Sequence, residues 1–252
     1  MADTTIVGPK LQGLVAPKVR GLDDFSDREL GRQPGFLKIT YARSRNDEGR
    51  SGDLKLGDAV FKGDEGVDVV VLKGHHYRTL LEGPDERPYT VCASADGRTP
   101  HDGVPNPKAQ VCGDSCAYGQ WKDGPGGKRV PPACQQGVAL LGLIAHTGDP
   151  FWYLLRKSAR QIGMQLAQAI QARGTERFSD WVVRVTTVEK RNEGVIWYEP
   201  VFQIVGRTPS GMYDTLSDEV VDLRYVPAIS PRATQEPGPT DSGSTDTWEI
   251  PV

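Results

Sequence analysis

Cysteine is absent from the first 91 residues and from the last 118 of this 252-residue chain, and all four cysteines fall between Cys92 and Cys134. No run of about 18 apolar residues occurs, so no segment reads as a membrane-spanning helix. Met1-Ala2-Asp3-Thr4-Thr5 has no basic patch followed by an apolar core. No secretory signal is therefore visible, and a cytoplasmic location is the default. A nucleophile elbow, a phosphate-binding loop and a Rossmann glycine pattern are also missing. Charge of one sign is scarce as well: the formal net charge is −3. From Ala228 onward, Glu236, Asp241, Asp246 and Glu249 stand against Arg232 alone, so that stretch accounts for the whole imbalance. The preceding body is neutral, and its Lys and Arg are free to cluster on one face.

What is abundant is glycine and proline, 29 and 19 residues, which favours many short strands and turns over a helical bundle. The cysteines, spaced C-x19-C-x3-C-x17-C, read as one unit: Cys92, Cys112, Cys116 and Cys134. The sequence between them, rich in Gly, Ser, Pro and Asp, has little to pack and needs a staple. Disulfides are unusual in a chain without an export signal. Tetrahedral zinc held by four thiolates is the reading taken, a structural site worth about 10 kcal/mol or more to a small module. Free buried thiols are the alternative, and His101 is an alternative fourth ligand. A catalytic zinc is disfavoured, because no His-Glu-x-x-His or His-x-Glu accompanies the cysteines.

The rest of the chain reads as strands plus one long helix. Residues 1–32 are a weakly structured lead-in. Phe36–Tyr41 alternates apolar with polar and predicts a strand; a mobile loop follows from Arg43 to Gly57. Strands are expected over Asp58–Lys62, Val67–Leu72 and Gly137–Ala145. Asp149 as N-cap and Pro150 at the first helical position predict a helix from there to a stop at Gly174. Trp181–Lys190 and Val195–Gly206 predict two long strands joined by a turn at Arg191-Asn192-Glu193-Gly194, and Asp214–Leu223 a last short helix. The expected class is mainly β with one long helix (α+β): an OB-like antiparallel barrel over 33–227, carrying a zinc-binding insertion at about 89–136.

Single-strand nucleic-acid binding needs aromatics for stacking interleaved with Lys and Arg for phosphates. Candidate sets are Lys38, Tyr41 and Arg43; Tyr77 and Arg78; Trp121, Lys122, Lys128 and Arg129; and Arg184, Lys190, Arg191 and Trp197. The glycine-rich stretch before Lys128 and Arg129 reads either as a basic loop gripping phosphates or as an ordinary turn. His75-His76 could suggest a nuclease metal site, but no carboxylate cluster stands at ligand spacing.

Residues 228–252 have the composition of a disordered acidic linker, closed by Trp248-Glu249-Ile250-Pro251-Val252. An apolar hook on an acidic tether is a docking peptide, and Glu-Ile-Pro-Val resembles the tip of bacterial single-stranded DNA-binding proteins. The body in turn resembles phage-encoded single-stranded DNA-binding proteins through three segments: Phe36-Leu37-Lys38-Ile39 with Leu56-Gly57-Asp58; Cys92-x-Ser94-x-Asp96-Gly97 leading to Cys112, Cys116, Trp121 and Cys134; and Gly194–Phe202 after the helix. The familiar single-strand binders lack a four-Cys module and end in Phe rather than Val. The resemblance implies an OB-type, non-enzymatic protein with structural zinc, acting in the bacterial host cytoplasm. It would coat single-stranded DNA in replication or recombination, with homo-oligomers forming on the DNA. Its tail would recruit replication or recombination proteins, and no membrane is involved. The alternatives are a phage regulatory factor gripping host RNA polymerase through the zinc module, and a metal-dependent nuclease.

Overall fold

A computed structural model describes residues 34–40, 51–83, 89–102, 104, 107–112, 116–174, 177–192, 194–219, 222–225 and 227. The lead-in 1–32, the tail 228–252 with its docking tip, and the candidates Tyr41 and Arg43 lie outside the described residues.

The molecule is mainly β. Its strands are β1 (Gly35–Ile39), β2 (Leu54–Leu56), β3 (Ala59–Phe61), β4 (Val67–Glu82), β5 (Tyr89–Ser94), β6 (Lys122–Asp123), β7 (Arg129–Val130), β8 (Cys134–Ile144), β9 (Pro150–Arg156), β10 (Trp181–Asn192) and β11 (Val195–Arg207). Two α-helices, α1 (Ser158–Gln171) and α2 (Asp214–Glu219), and three single-turn 3-10 helices (Ala117–Gly119, Pro125–Gly127 and Phe178–Asp180) complete the described elements. Nine strands form one sheet in the order β11-β10-β4-β8-β9-β1-β2-β3, with β5 paired to the far end of β4; β6 and β7 form a separate hairpin. Among the described residues only the β1–β9 pairing is parallel. The sheet curls into a half-barrel, compatible with an OB-like barrel. The curl brings β10 close to the β2–β3 side of the sheet: the Thr187 N–H on β10 donates to the Gly63 carbonyl just after β3 at 2.8 Å. The Thr187 hydroxyl donates to the Gly52 carbonyl at 2.5 Å. Among the described residues no helix is long and apolar enough to cross a membrane.

β4 organises the fold because its first residues are apolar on both faces. Val67, Val69 and Val71 enter one core with Leu140, Phe151, Tyr153, Leu155, Val183 and Val185. Val70 and Leu72 enter a second core with Leu141, Trp152, Val182, Tyr213 and Leu216. A continuous apolar run is what a strand covered on both sides requires, and each buried Val, Leu or Phe contributes of order 1.5–3 kcal/mol. Leu166 and Ile170 of α1 close the first core. Gly163 permits that approach, since a Cβ there would stand 2.6 Å from Leu155 Cδ1. Leu216 of α2 and Tyr225 cover the second.

The expected helix over 149–174 is corrected at its start. Residues 150–156 are strand β9, paired with β8 from Leu143↔Pro150 to Gly137↔Arg156. Thr147-Gly148-Asp149 is the turn before it: the Asp149 N–H donates to Thr147 Oγ1 at 3.3 Å, and Gly148 takes φ 77. Proline is tolerated at the first residue of a strand as well as of a helix. The aromatic run Phe151-Trp152-Tyr153 that follows has strand preference. The helix begins one residue after Lys157, at Ser158. β4 continues ten residues past the expected end at Leu72, through two register shifts. Short β2 lies within the expected mobile loop.

Candidate nucleic-acid interface and cysteine cavity

The far half of β4 is flanked by β5 on one side and β8 on the other. Leu80 is the register partner of Cys92 on β5 and of Cys134 on β8. Paired residues share a face, so the two thiols flank a buried leucine, 2 % exposed. Cys112 and Cys116 are supplied by the connection between β5 and β6. All four cysteines line one cavity of about 10 Å³, together with Arg78, Leu80, Pro100, Lys108, Ala109, Tyr118 and Gly119. Cys116 is buried and the other three are half-buried, all as free thiols. Burial pushes the Cys134 thiol up to about 11, against the opposing pull of Arg78. Burial also raises Cys112, which Ser94 counters by a hydrogen bond. Among the described residues no three His, Cys, Asp or Glu side chains stand at metal-binding separation. A metal would therefore have to draw the thiols inward. His101, the alternative ligand, is not among the residues lining the cavity. Its backbone is tied down instead, with N–H donating to the Ala93 carbonyl at 2.8 Å.

The turn after β5 is held by Asp96. Its carboxylate accepts from the Ser94 hydroxyl (2.9 Å), the Arg98 N–H (2.7 Å), the Thr99 N–H (2.8 Å) and the Thr99 hydroxyl (2.9 Å). Burial alone would raise this carboxyl, but the four hydrogen bonds outweigh it and hold it well below the usual carboxylate range.

Beyond the cavity the module presents an aromatic and basic ridge. Trp121 is 56 % exposed, the most exposed large aromatic among the described residues. The β6–β7 hairpin pairs Lys122 with Val130 and Asp123 with Arg129, and folds the Arg129 guanidinium over the Trp121 ring at 5.6 Å from its centroid. Tyr118 is flanked by Lys108 at 5.9 Å and Lys122 at 5.8 Å. Lys128 is exposed on the connecting turn, where Gly126 and Gly127 have φ near 70°. Five of the expected residues thus come together around the module: Arg78 in the cavity wall, and Trp121, Lys122, Lys128 and Arg129 on the ridge. Tyr118 and Lys108 join them. Tyr118 was visible in the sequence beside Trp121, whereas nothing in the spacing singled out Lys108.

The remaining candidates lie elsewhere. β10 pairs with β4 only from Val182↔Val70 to Val185↔Val67. It then runs on with β11 as a two-stranded arm past the beginning of β4. Arm and module therefore sit at opposite ends of a 16-residue strand, about 50 Å of chain at the rise of a β-strand. Lys190 and Trp197 are cross-strand partners on the arm. The Trp197 indole donates to Glu199 at 3.1 Å, and Arg191 is paired with Glu189. Arg184 makes a two-point bond to Asp68, at 2.7 and 2.9 Å. Lys38 is exposed on β1, opposite Lys55.

Tyr77 is a core residue, 1 % exposed, with no open face for a base. Its ring lies over the backbone of Gly137, where a Cβ would approach to 2.4 Å, and its hydroxyl accepts from Arg156 Nε at 2.8 Å. The period of two explains the error: β4 continues through this segment, so His76 faces out while Tyr77 faces in. For the same reason His75 and His76 point to opposite faces and cannot share one metal. His75 Nε2 accepts the Tyr225 N–H at 3.0 Å, and burial lowers its pKa. Comparison of the chain with protein-family models, with curated proteins and with solved structures finds no match.

Proposed function

We propose that this chain is a non-enzymatic single-stranded DNA-binding protein of phage or mobile-element type, with an OB-like body and a cysteine module stiffened by structural zinc. The observation that carries the reading is the ridge of Trp121, Tyr118, Lys122, Lys128 and Arg129. A tryptophan left more than half exposed, with a guanidinium over it and lysines beside it, offers a stacking face next to phosphate-binding charge. The four thiols lining one small cavity are the residues that would hold the zinc. The metal would supply rigidity to a module with few apolar residues of its own. The arm, with Lys190, Arg191 and Trp197, would give the strand a second point of contact.

The acidic tail and its tip, Trp248 to Val252, complete the proposal as the recruiting element for replication or recombination proteins in the host cytoplasm. Removal of residues 229–252 is expected to leave DNA binding intact or tighter and to abolish recruitment. A second reading, contact with protein through the arm, has the exposed Val195 and Ile196 near its tip in its favour. The same pair suits contact between neighbouring copies on one strand.

The test is titration of labelled oligo-dT by fluorescence anisotropy at low and high salt. Tight, salt-sensitive binding without cleavage supports the proposal. Absence of binding at low salt overturns it in favour of the protein-contact reading, and degradation of the oligonucleotide on adding a divalent metal would indicate a nuclease.

A further inference from the structure

The cavity of the four cysteines has a wall that thiol chemistry alone does not explain. Arg78 is anchored there, its Nε–H donating to the Gly97 carbonyl at 2.9 Å. Its Nη1 is buried and has no hydrogen-bond partner. Lys108 lines the same cavity, and its ammonium reaches Glu82 at 3.9 Å. Among the described residues that line the cavity there is no carboxylate. A buried guanidinium nitrogen without an acceptor carries an uncompensated desolvation cost, which an anionic group in the cavity that Arg78 lines would relieve.

We propose that Arg78 is the built-in counter-cation of a tetrathiolate zinc site formed by Cys92, Cys112, Cys116 and Cys134. The inference rests on the structural-zinc reading and is independent of DNA binding. Each Zn–S bond replaces an S–H bond, the proton leaving to solvent. Four thiolates around a divalent ion leave a net double negative charge. Arg78 offsets one of these charges, Lys108, shared with Glu82, offsets part of the other, and the Arg78 Nη1–H gains thiolate acceptors. The cavity volume suits a single small ion.

The register excludes a disulfide for one pair. Cys92 and Cys134 sit two strand spacings apart across Leu80, about 10 Å between Cα atoms, beyond the reach of an S–S bond. Tetrahedral bonds of about 2.3 Å hold two thiolates less than about 4 Å apart, so zinc binding requires Cys92 and Cys134 to close inward over Leu80 together with the loop cysteines. Arg78 is then a positioning residue. It fixes the charge balance and, through Gly97, ties the site to the turn after β5.

The experiment uses the full chain, freshly reduced, with zinc content by elemental analysis and affinity by chelator competition. Cobalt substitution reports the ligands through the thiolate-to-cobalt charge-transfer band. Wild type is expected to hold one equivalent with a four-thiolate cobalt spectrum. Arg78→Met is expected to lower zinc affinity at least tenfold, in line with the usual effect of outer-sphere partners. Arg78→Lys, which keeps the charge but not the Gly97 anchor, should recover part of it and serves as the test should the Met variant not fold. If both variants bind zinc within twofold of wild type, Arg78 is not the counter-cation. If wild type itself carries less than about half an equivalent and shows no thiolate–cobalt band, the zinc site as a whole is wrong.

Discussion

The Arg129 guanidinium lies 5.6 Å from the centre of the Trp121 ring, on a hairpin that leaves both side chains exposed. A cation over an exposed aromatic contributes only about 0.5–1 kcal/mol, far less than burying the whole indole would. The arrangement therefore keeps a large apolar face poised rather than satisfied. A base stacked on the open side of the indole would gain contact without displacing the arginine, whose charge is then next to the strand's phosphate.

Trp121→Ala is expected to weaken oligo-dT binding by about 1–3 kcal/mol, the usual worth of one stacked base, and to leave the melting temperature close to wild type. Trp121→Phe should recover a good part of the loss. Anisotropy titration and thermal melts of the same preparations separate the two effects. A large loss of stability in Trp121→Ala would make the residue structural.

The basic residues are predicted to differ in what they do to salt dependence. Lys122→Gln, Lys128→Gln and Arg129→Gln should each make the slope of log affinity against log salt shallower by about 0.7, one phosphate contact on a single strand. Arg184→Gln should change the slope little, because its guanidinium is held by Asp68 in two hydrogen bonds. An equal effect from all four would mean that no local interface exists.

How far the sequence reveals these features depends on the signal each element carries. The apolar run at Val67–Leu72, the strand at Gly137–Ala145 and the hairpin around Gly194 are legible because long strands with strong patterning and a turn glycine leave little choice. β9 was not, because Asp149-Pro150 satisfies helix and strand starts equally, and Phe151 and Leu155 share a face in either period. β6 and β7 are two residues each, too short for periodicity to register. The cysteines are visible as a group from their confinement alone. That Cys92 and Cys134 flank Leu80 depends on the three-strand pairing at the end of β4, which spacing does not encode. Tyr77 was misjudged because its neighbours His76 and Arg78 are polar, yet in a strand the neighbours face the other way.

Lys157 joins β9 to α1 with φ 52, the one non-glycine residue with positive φ among the described residues. A side chain there costs about 1–3 kcal/mol in strain. Lys157→Gly is expected to raise unfolding stability by about 1 kcal/mol, net of glycine's greater freedom in the unfolded chain. Denaturant melts of the two proteins test it. A destabilised glycine variant would show that the lysine side chain supplies more than the strain removes.

Acid sensitivity should concentrate at Asp96. Its carboxyl is held below the ordinary range in the folded protein, so its contribution to stability is complete above the unfolded value near 4 and is lost as pH falls from there through the folded value. Asp96→Asn removes that dependence. The gap in melting temperature between wild type and Asp96→Asn is therefore expected to be widest near neutrality and to shrink below about pH 4. A gap that does not change with pH would assign the effect to shape rather than charge.

The most direct measurement is ultraviolet crosslinking of oligo-dT to the full chain, with the attachment sites read by peptide mass spectrometry. Crosslinks within residues 118–129, centred on Tyr118 and Trp121, are the predicted result. Crosslinks that avoid this segment, or a chain that cannot be crosslinked at saturating oligonucleotide and low salt, would contradict a single-strand interface on the cysteine module.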